Sequence, residues 1–148
     1  MYTHVLVSTD GSRLSQKAIR TAVRLAKAVG ARVTGVYVIP PSVPPMYGEG
    51  IAYGPVSSPG QQRDAAKRAG KKALAVVEIE AKAAGVDSGA AMLAAPSPWE
   101  GILRTAKAKK CDLIVMASHG RRGLSALLLG SETAKVLTHS KTPVLVCR

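Results

Sequence analysis

The chain has 148 residues, enough for one domain with a real core and too few for two independent ones. Hydrophobic residues make up 47%, yet no apolar run approaches the ~18 residues of a membrane span. Lys and Arg outnumber Asp and Glu by 21 to 9, a formal charge of +12, so polyanions and phosphate-bearing ligands suit it electrostatically. The opening MYTHVLVSTDG lacks the charged-then-apolar layout of a signal peptide, so a cytoplasmic protein is expected. Cys111 and Cys147 lie outside any CxxC or CxxH pairing; neither a disulfide framework nor a metal site is expected.

Residues 3–9 form a short β-branched run closed by Asp10-Gly11-Ser12, the pattern of a buried strand entering a turn. Arg13 to Val29 follows the helical period, with Ser12 to cap its start and Gly30 to end it. Arg13, Lys17, Arg20, Arg24 and Lys27 line one stripe of that helix and read as a solvated face. With one Trp and no Phe, the chain has few aromatics to stack on bases, which speaks against a nucleic-acid surface. Val33 to Ile39 is a second strand. Prolines and glycines then break any regular element through a long loop of about residues 40–60, where Met46, Tyr47 and Tyr53 are candidates to cover a ligand or to pack locally.

Gln61 to Ala84 predicts a long helix despite Gly70, and Val86 to Ala95 a weaker strand. Ser97-Pro98 opens a third helix to about Lys110, with Ser97 as cap. Asp112 to Ala117 is an apolar strand, residues 120–130 a loop with a Leu-rich helical segment, Ser131 to His139 a last helix and Pro143 to Cys147 a last strand. Strands alternating with helices, each strand apolar on both faces, specify an α/β domain over 1–148 with a doubly wound, open parallel sheet.

Ligands of such sheets bind beyond the carboxyl ends of the strands. Two segments sit there: Thr9-Asp10-Gly11-Ser12, and Ala117-Ser118-His119-Gly120 continuing to Gly130-Ser131 at a helix start. Glycines let amides approach an anion, the helix start adds partial positive charge, Ser131 adds a hydroxyl, and Arg121 and Arg122 can neutralise phosphates. A side chain at Gly130 is expected to take the space of a phosphate while leaving the fold largely intact. Asp10 suits a ribose hydroxyl or an adenine amino group, or else caps the first helix. His119 sits in the same loop, where it could contact a phosphate or orient a water; with no acid or nucleophile spaced for a relay, a role in loop structure is favoured. Gly48-x-Gly50 lacks the flanking strand and helix of a dinucleotide site, and neither a Walker A pattern nor a carboxylate pair of catalytic spacing occurs.

The stretch DLIVMASHGRRGLSALLLGSETAKVLTHSKTPVLVCR resembles the C-terminal signature of the universal stress protein family: Gly, two residues, Gly, nine residues, then Gly-Ser or Gly-Thr. Gly120, Gly130 and Ser131 match, and Ala117 stands at the first glycine. The VSTDGS start, the VYVI strand and the PVLV ending extend the resemblance over nearly the whole chain. It implies a Rossmann-like sheet of five strands in the order 3-2-1-4-5 with helices on both faces. It also implies ATP, with or without Mg²⁺, held by Ser8, Thr9, Asp10 and Val38 (through its backbone), with Met116 and Ala117 along base and ribose. Phosphates would meet Gly120, Gly130, Ser131 and the amides of Glu132 and Thr133, near Arg121 and Arg122. A regulatory role in stress follows, with no dedicated catalytic residue and slow ATP hydrolysis left open. The alternative is a nucleotide-free homodimeric interaction protein, favoured by Ala117 and by Glu132, whose carboxylate would repel a triphosphate if it faced one. A true ATP-dependent enzyme would need a base and a second substrate site. The last strand, 143–147, has a free edge that a second copy would cover, so a homodimer is expected.

Overall fold

The computed structural model describes residues 1–42, 57–120 and 129–148. Its elements run β1 (His4–Ser8), α1 (Arg13–Val29), β2 (Arg32–Ile39), α2 (Pro59–Ala84), β3 (Ser88–Ala94), α3 (Pro98–Ala108), β4 (Leu113–Ala117), α4 (Ser131–His139) and β5 (Val144–Cys147). All strand pairs are parallel and their order is β3-β2-β1-β4-β5, the doubly wound sheet expected. Met46, Tyr47 and Tyr53, the Gly48-x-Gly50 pair, Arg121, Arg122 and the Leu-rich segment before Leu129 lie outside the described residues.

The element ends differ from the sequence expectation for local reasons. Helix α2 begins at Pro59, two residues before the expected start, because Ser58 and Gln61 form a reciprocal capping box and Pro59 fits the first turn. Helix α3 stops at Ala108: Lys109 leaves the helix and Lys110 takes a positive φ of 54°. Strand β3 is shorter than 86–95 because the Val86 amide still donates to Ala81 at the end of α2.

Helices α1 and α2 cover one face of the sheet, burying Ala18, Ile19, Ala22 and Ala26 with Val5, Val7, Val33, Val77 and Val115. Helices α3 and α4 cover the other, where Ile102, Ala106 and Val136 pack on Leu6, Val36, Ile114 and Met116. Gly70, which looks like a weak point in a long helix, is where α2 meets the sheet most closely. A Cβ there would lie 2.7 Å from Tyr37 Cδ1 and 2.8 Å from Met92 Cε. At the opposite end of the sheet from the strand carboxyl ends, the Asp112 carboxylate accepts hydrogen bonds from Thr3 N (2.8 Å), Thr3 Oγ1 (2.7 Å) and His4 N (2.9 Å), pinning β1 to β4.

Candidate functional site

Strands β1 and β4 are neighbours, but the helices that follow them depart to opposite faces, and this divergence opens a cleft beyond their carboxyl ends. The cleft holds about 320 Å³. Nine expected residues line it: Ser8, Thr9, Asp10, Val38, Met116, Ala117, Gly120, Glu132 and Thr133. Gly130 and Ser131 adjoin it as the cap and first residue of α4 without lining it.

The turn after β1 is fixed by its own side chains. The Thr9 amide donates to Val36 O at 3.0 Å, extending the ladder by one residue, and Thr9 Oγ1 accepts from Gly11 N at 3.1 Å and contacts Ser15 Oγ at 3.0 Å. Asp10 Oδ1 accepts from Ser12 N at 2.9 Å, an Asx turn that delivers Ser12 to the cap of α1, where Ser12 Oγ accepts from Ser15 N at 3.1 Å. Ser12 is therefore the cap, and Asp10 shapes the turn before it.

Strand β2 outruns β1 at this end. Val36 O faces β1, and successive residues of a strand alternate sides, so the N–H and C=O of Val38 point to the side where β1 has already turned away. Val38 lines the cleft on that side, and its side chain sits under α3 so tightly that a Cβ on Gly101 would come within 2.6 Å of it.

From the other side, β4 and α4 are bound together. The Gly130 amide donates to Ser118 O at 2.7 Å, Thr133 Oγ1 donates to Ala117 O at 3.0 Å, and Ser118 N donates to Cys147 O at 2.7 Å. These bonds draw the backbone of 118–119 against Gly130, where a Cβ would lie 3.0 Å from His119 Cα and 3.1 Å from Ser118 O. The sequence expectation for Gly130 needs correcting here: the first atom of any side chain meets protein backbone. Gly120 is closer still to Asp10: a Cβ on it would lie 2.7 Å from Asp10 Oδ2. The two expected segments therefore touch.

Gly130 offers no side chain to cap α4, and a helix start leaves its first amides without intrahelical acceptors. Those of Ser131, Glu132 and Thr133 therefore form an electropositive end beside the cleft. Ala117 raises no backbone conflict at the first glycine position: it is an ordinary strand residue, without positive φ.

Glu132 lines the cleft, but its carboxylate is engaged elsewhere. Oε2 accepts from the backbone amide of Trp99 at 2.9 Å, and Oε1 pairs with Lys135 Nζ at 3.3 Å. Helix α3 needs this, because Ser97 occupies its cap position without capping and donates instead to Glu100 Oε1 at 2.7 Å. The expected Ser97 cap is replaced by a carboxylate from α4. Trp99 also stacks on His139, ring centroids 4.8 Å apart, so α3 and α4 are joined at two places.

Sequence reasoning missed Ser15, Val36, Tyr37, Pro40, Pro98 and Ile102 as lining residues; His119, expected either to contact a phosphate or to serve the loop, lines the cleft with Nδ1 3.1 Å from Ser118 Oγ. Ile102 had a signal, its place one turn into a helix that begins at a strand's carboxyl end. Among the described residues no helix is long and apolar enough to cross a membrane.

The universal stress protein family model matches residues 1–148. Universal stress protein YxiE of Bacillus subtilis is 36% identical over 149 residues, covering 100% of both chains. The structure of universal stress protein UspA from Lactobacillus plantarum matches with a TM-score of 0.80 at 26% identity, over 99% of this chain and 98% of that one. A universal stress protein solved in complex with cAMP matches with a TM-score of 0.70 at 27% identity, over 99% and 97%. By the match of the family model over the whole chain, this chain belongs to the universal stress protein family.

Proposed function

We propose that the cleft binds ATP and that occupancy, rather than chemistry, is the working signal of a regulatory, stress-related protein. The observation that supports this most is the convergence at Gly120: the Asp10 carboxylate and the uncapped start of α4 border one cleft. In this reading adenine lies between Val38 and Met116, with its polar edge on the Val38 main chain. Ribose meets Asp10 beside Ser8, Thr9 and Ala117. The phosphates meet the backbone of Gly120 and Gly130, the Ser131 hydroxyl and the amides of Glu132 and Thr133, with Arg121 and Arg122 as added cations. The relative solved with cAMP supports an adenine nucleotide as the ligand class. Mg²⁺ would enter as part of the ligand, since it is usually held by one or two carboxylates together with phosphates, and Asp10 borders the same cleft.

Calorimetric titration with ATP, with and without Mg²⁺, tests the reading, together with mass spectrometry of the purified protein for retained nucleotide. Saturable binding that falls on Asp10→Ala supports it; no binding and no retained nucleotide overturns it in favour of a nucleotide-free interaction protein. Strand β5 ends the sheet with Leu145 37% exposed, which supports a homodimer through residues 143–147, to be checked by sedimentation at micromolar concentration.

A further inference from the structure

Helix α1 carries five cations and no acidic residue, and the cations fall at intervals of four, three, four and three: Arg13, Lys17, Arg20, Arg24 and Lys27. All five are exposed. Neighbouring like charges three or four residues apart repel, and Arg13 in the first turn opposes the helix dipole, so the row works against the helix that carries it. What holds it is the opposite face, where Ala18, Ile19, Ala22 and Ala26 are fully buried. Little nearby neutralises the row. Arg20 Nε meets Glu80 Oε1 of α2 at 3.1 Å with its side chain still 54% exposed, and Lys17 Nζ donates to the carbonyl of Arg148. Arg13, Arg24 and Lys27 have no ion pair among the described residues.

We propose that this row is a docking rail for an acidic α-helix of a partner protein, one whose carboxylates repeat at the same four-three spacing. The spacing chooses the partner. A repeat averaging 3.5 residues keeps a row of side chains turned toward a helix lying alongside, the geometry that coiled coils use for their apolar seam, so each cation of this row faces one carboxylate of such a helix. A lipid surface fits less well, because membrane-lying helices insert an apolar face and the apolar face of α1 is spent in the core. A duplex backbone winds away from a straight row.

The test titrates the full chain with a labelled helical peptide of about 21 residues, three heptads, with Glu at the two seam positions. A peptide of the same composition with its Glu residues permuted, and a DNA duplex of similar length, serve as competitors. The register peptide is expected to bind, and to weaken on raising the salt, as exposed charge pairs do. Arg24→Glu with Lys27→Glu should weaken it by about tenfold, as reversal of exposed pairs implies. Lys107→Glu with Lys141→Glu, on exposed sites away from α1, makes the same change in net charge and should leave affinity within about twofold. Arg24→Gln with Lys27→Gln repeats the loss without new repulsion, and circular dichroism confirms the fold of each variant. Equal loss in the two charge-reversed pairs would reduce the effect to net charge and overturn the proposal. Equal binding of the permuted peptide or the duplex, or no binding at all, would overturn it too.

Discussion

Replacing Glu132 separates the two roles a carboxylate at this position can have. Its Oε2 accepts the Trp99 amide at 2.9 Å, standing in for the cap that Ser97 does not supply. Glu132→Ala removes that acceptor and the negative charge at the start of α3, and loss of a helix cap costs about 1 kcal/mol, with a range of about 0.5–2. At this chain length that lowers Tm by about 2–4 °C per kcal/mol. Glu132→Gln keeps an acceptor oxygen and loses only the charge–dipole part, about 0.3–1 kcal/mol for a half-exposed site. The Lys135 partner adds little, being a surface pair at 3.3 Å. Thermal unfolding by circular dichroism should therefore rank wild type above Gln above Ala. The same proteins titrated with ATP should show the Gln variant binding at least as tightly as wild type, because the carboxylate is held by the Trp99 amide and Lys135. A wild-type Tm in Glu132→Ala would refute the cap, and a large loss of ATP affinity in Glu132→Gln would refute the claim that the carboxylate is turned away from phosphate.

Gly130→Ala forces a Cβ to within 3.1 Å of Ser118 O and 3.0 Å of His119 Cα, so the fold should lose about 1–3 kcal/mol, as overpacking does, measured by urea unfolding alongside ATP affinity. Unchanged stability would place the 118–120 backbone elsewhere. At Asp112, desolvation raises the carboxyl pKa, but hydrogen bonds from His4 and Thr3 outweigh it and hold the group below its ordinary value. Its contribution is thus present above the unfolded value of about 3.9 and lost as pH falls through the lower folded value, so Asp112→Asn should be less stable than wild type at pH 7, with a gap that narrows in acid. Burial, and secondarily the Asp112 charge, pushes the Cys111 thiol up to about 11, so thiol reagents at pH 8 should label it far more slowly in the folded protein than in urea. Rapid labelling of the native protein would contradict its burial.

The sheet was readable because its central strands β1, β2 and β4 are apolar on both faces and two of its helices carry their own caps: Ser12 with Gly30, and Gly85 at the end of α2, behave as their residue types require. The places where reading failed are those where a distant residue decides. Ser97 looks like a cap and loses that role to Glu132, thirty-five positions away, which no local pattern announces. Glu132 looked adverse for the same reason, since its side-chain direction depends on where α3 lies. Gly130 was singled out correctly as a position needing no side chain, but the crowding comes from the Ser118–His119 backbone, a contact made only after β4 and α4 are brought together. The lining by Pro98 and Ile102 likewise follows from α3 crossing over β2, a tertiary fact.

The main-chain groups of Val38 at the end of β2 carry a consequence for how the protein can vary. In the proposed binding mode a base edge meets peptide atoms, which are indifferent to the residue that supplies them, so Val38→Ile or Val38→Leu should disturb the packing under Gly101 long before it alters the choice of base. Discrimination and sequence would then be uncoupled at that point, with drift policed by the fit of helix to sheet.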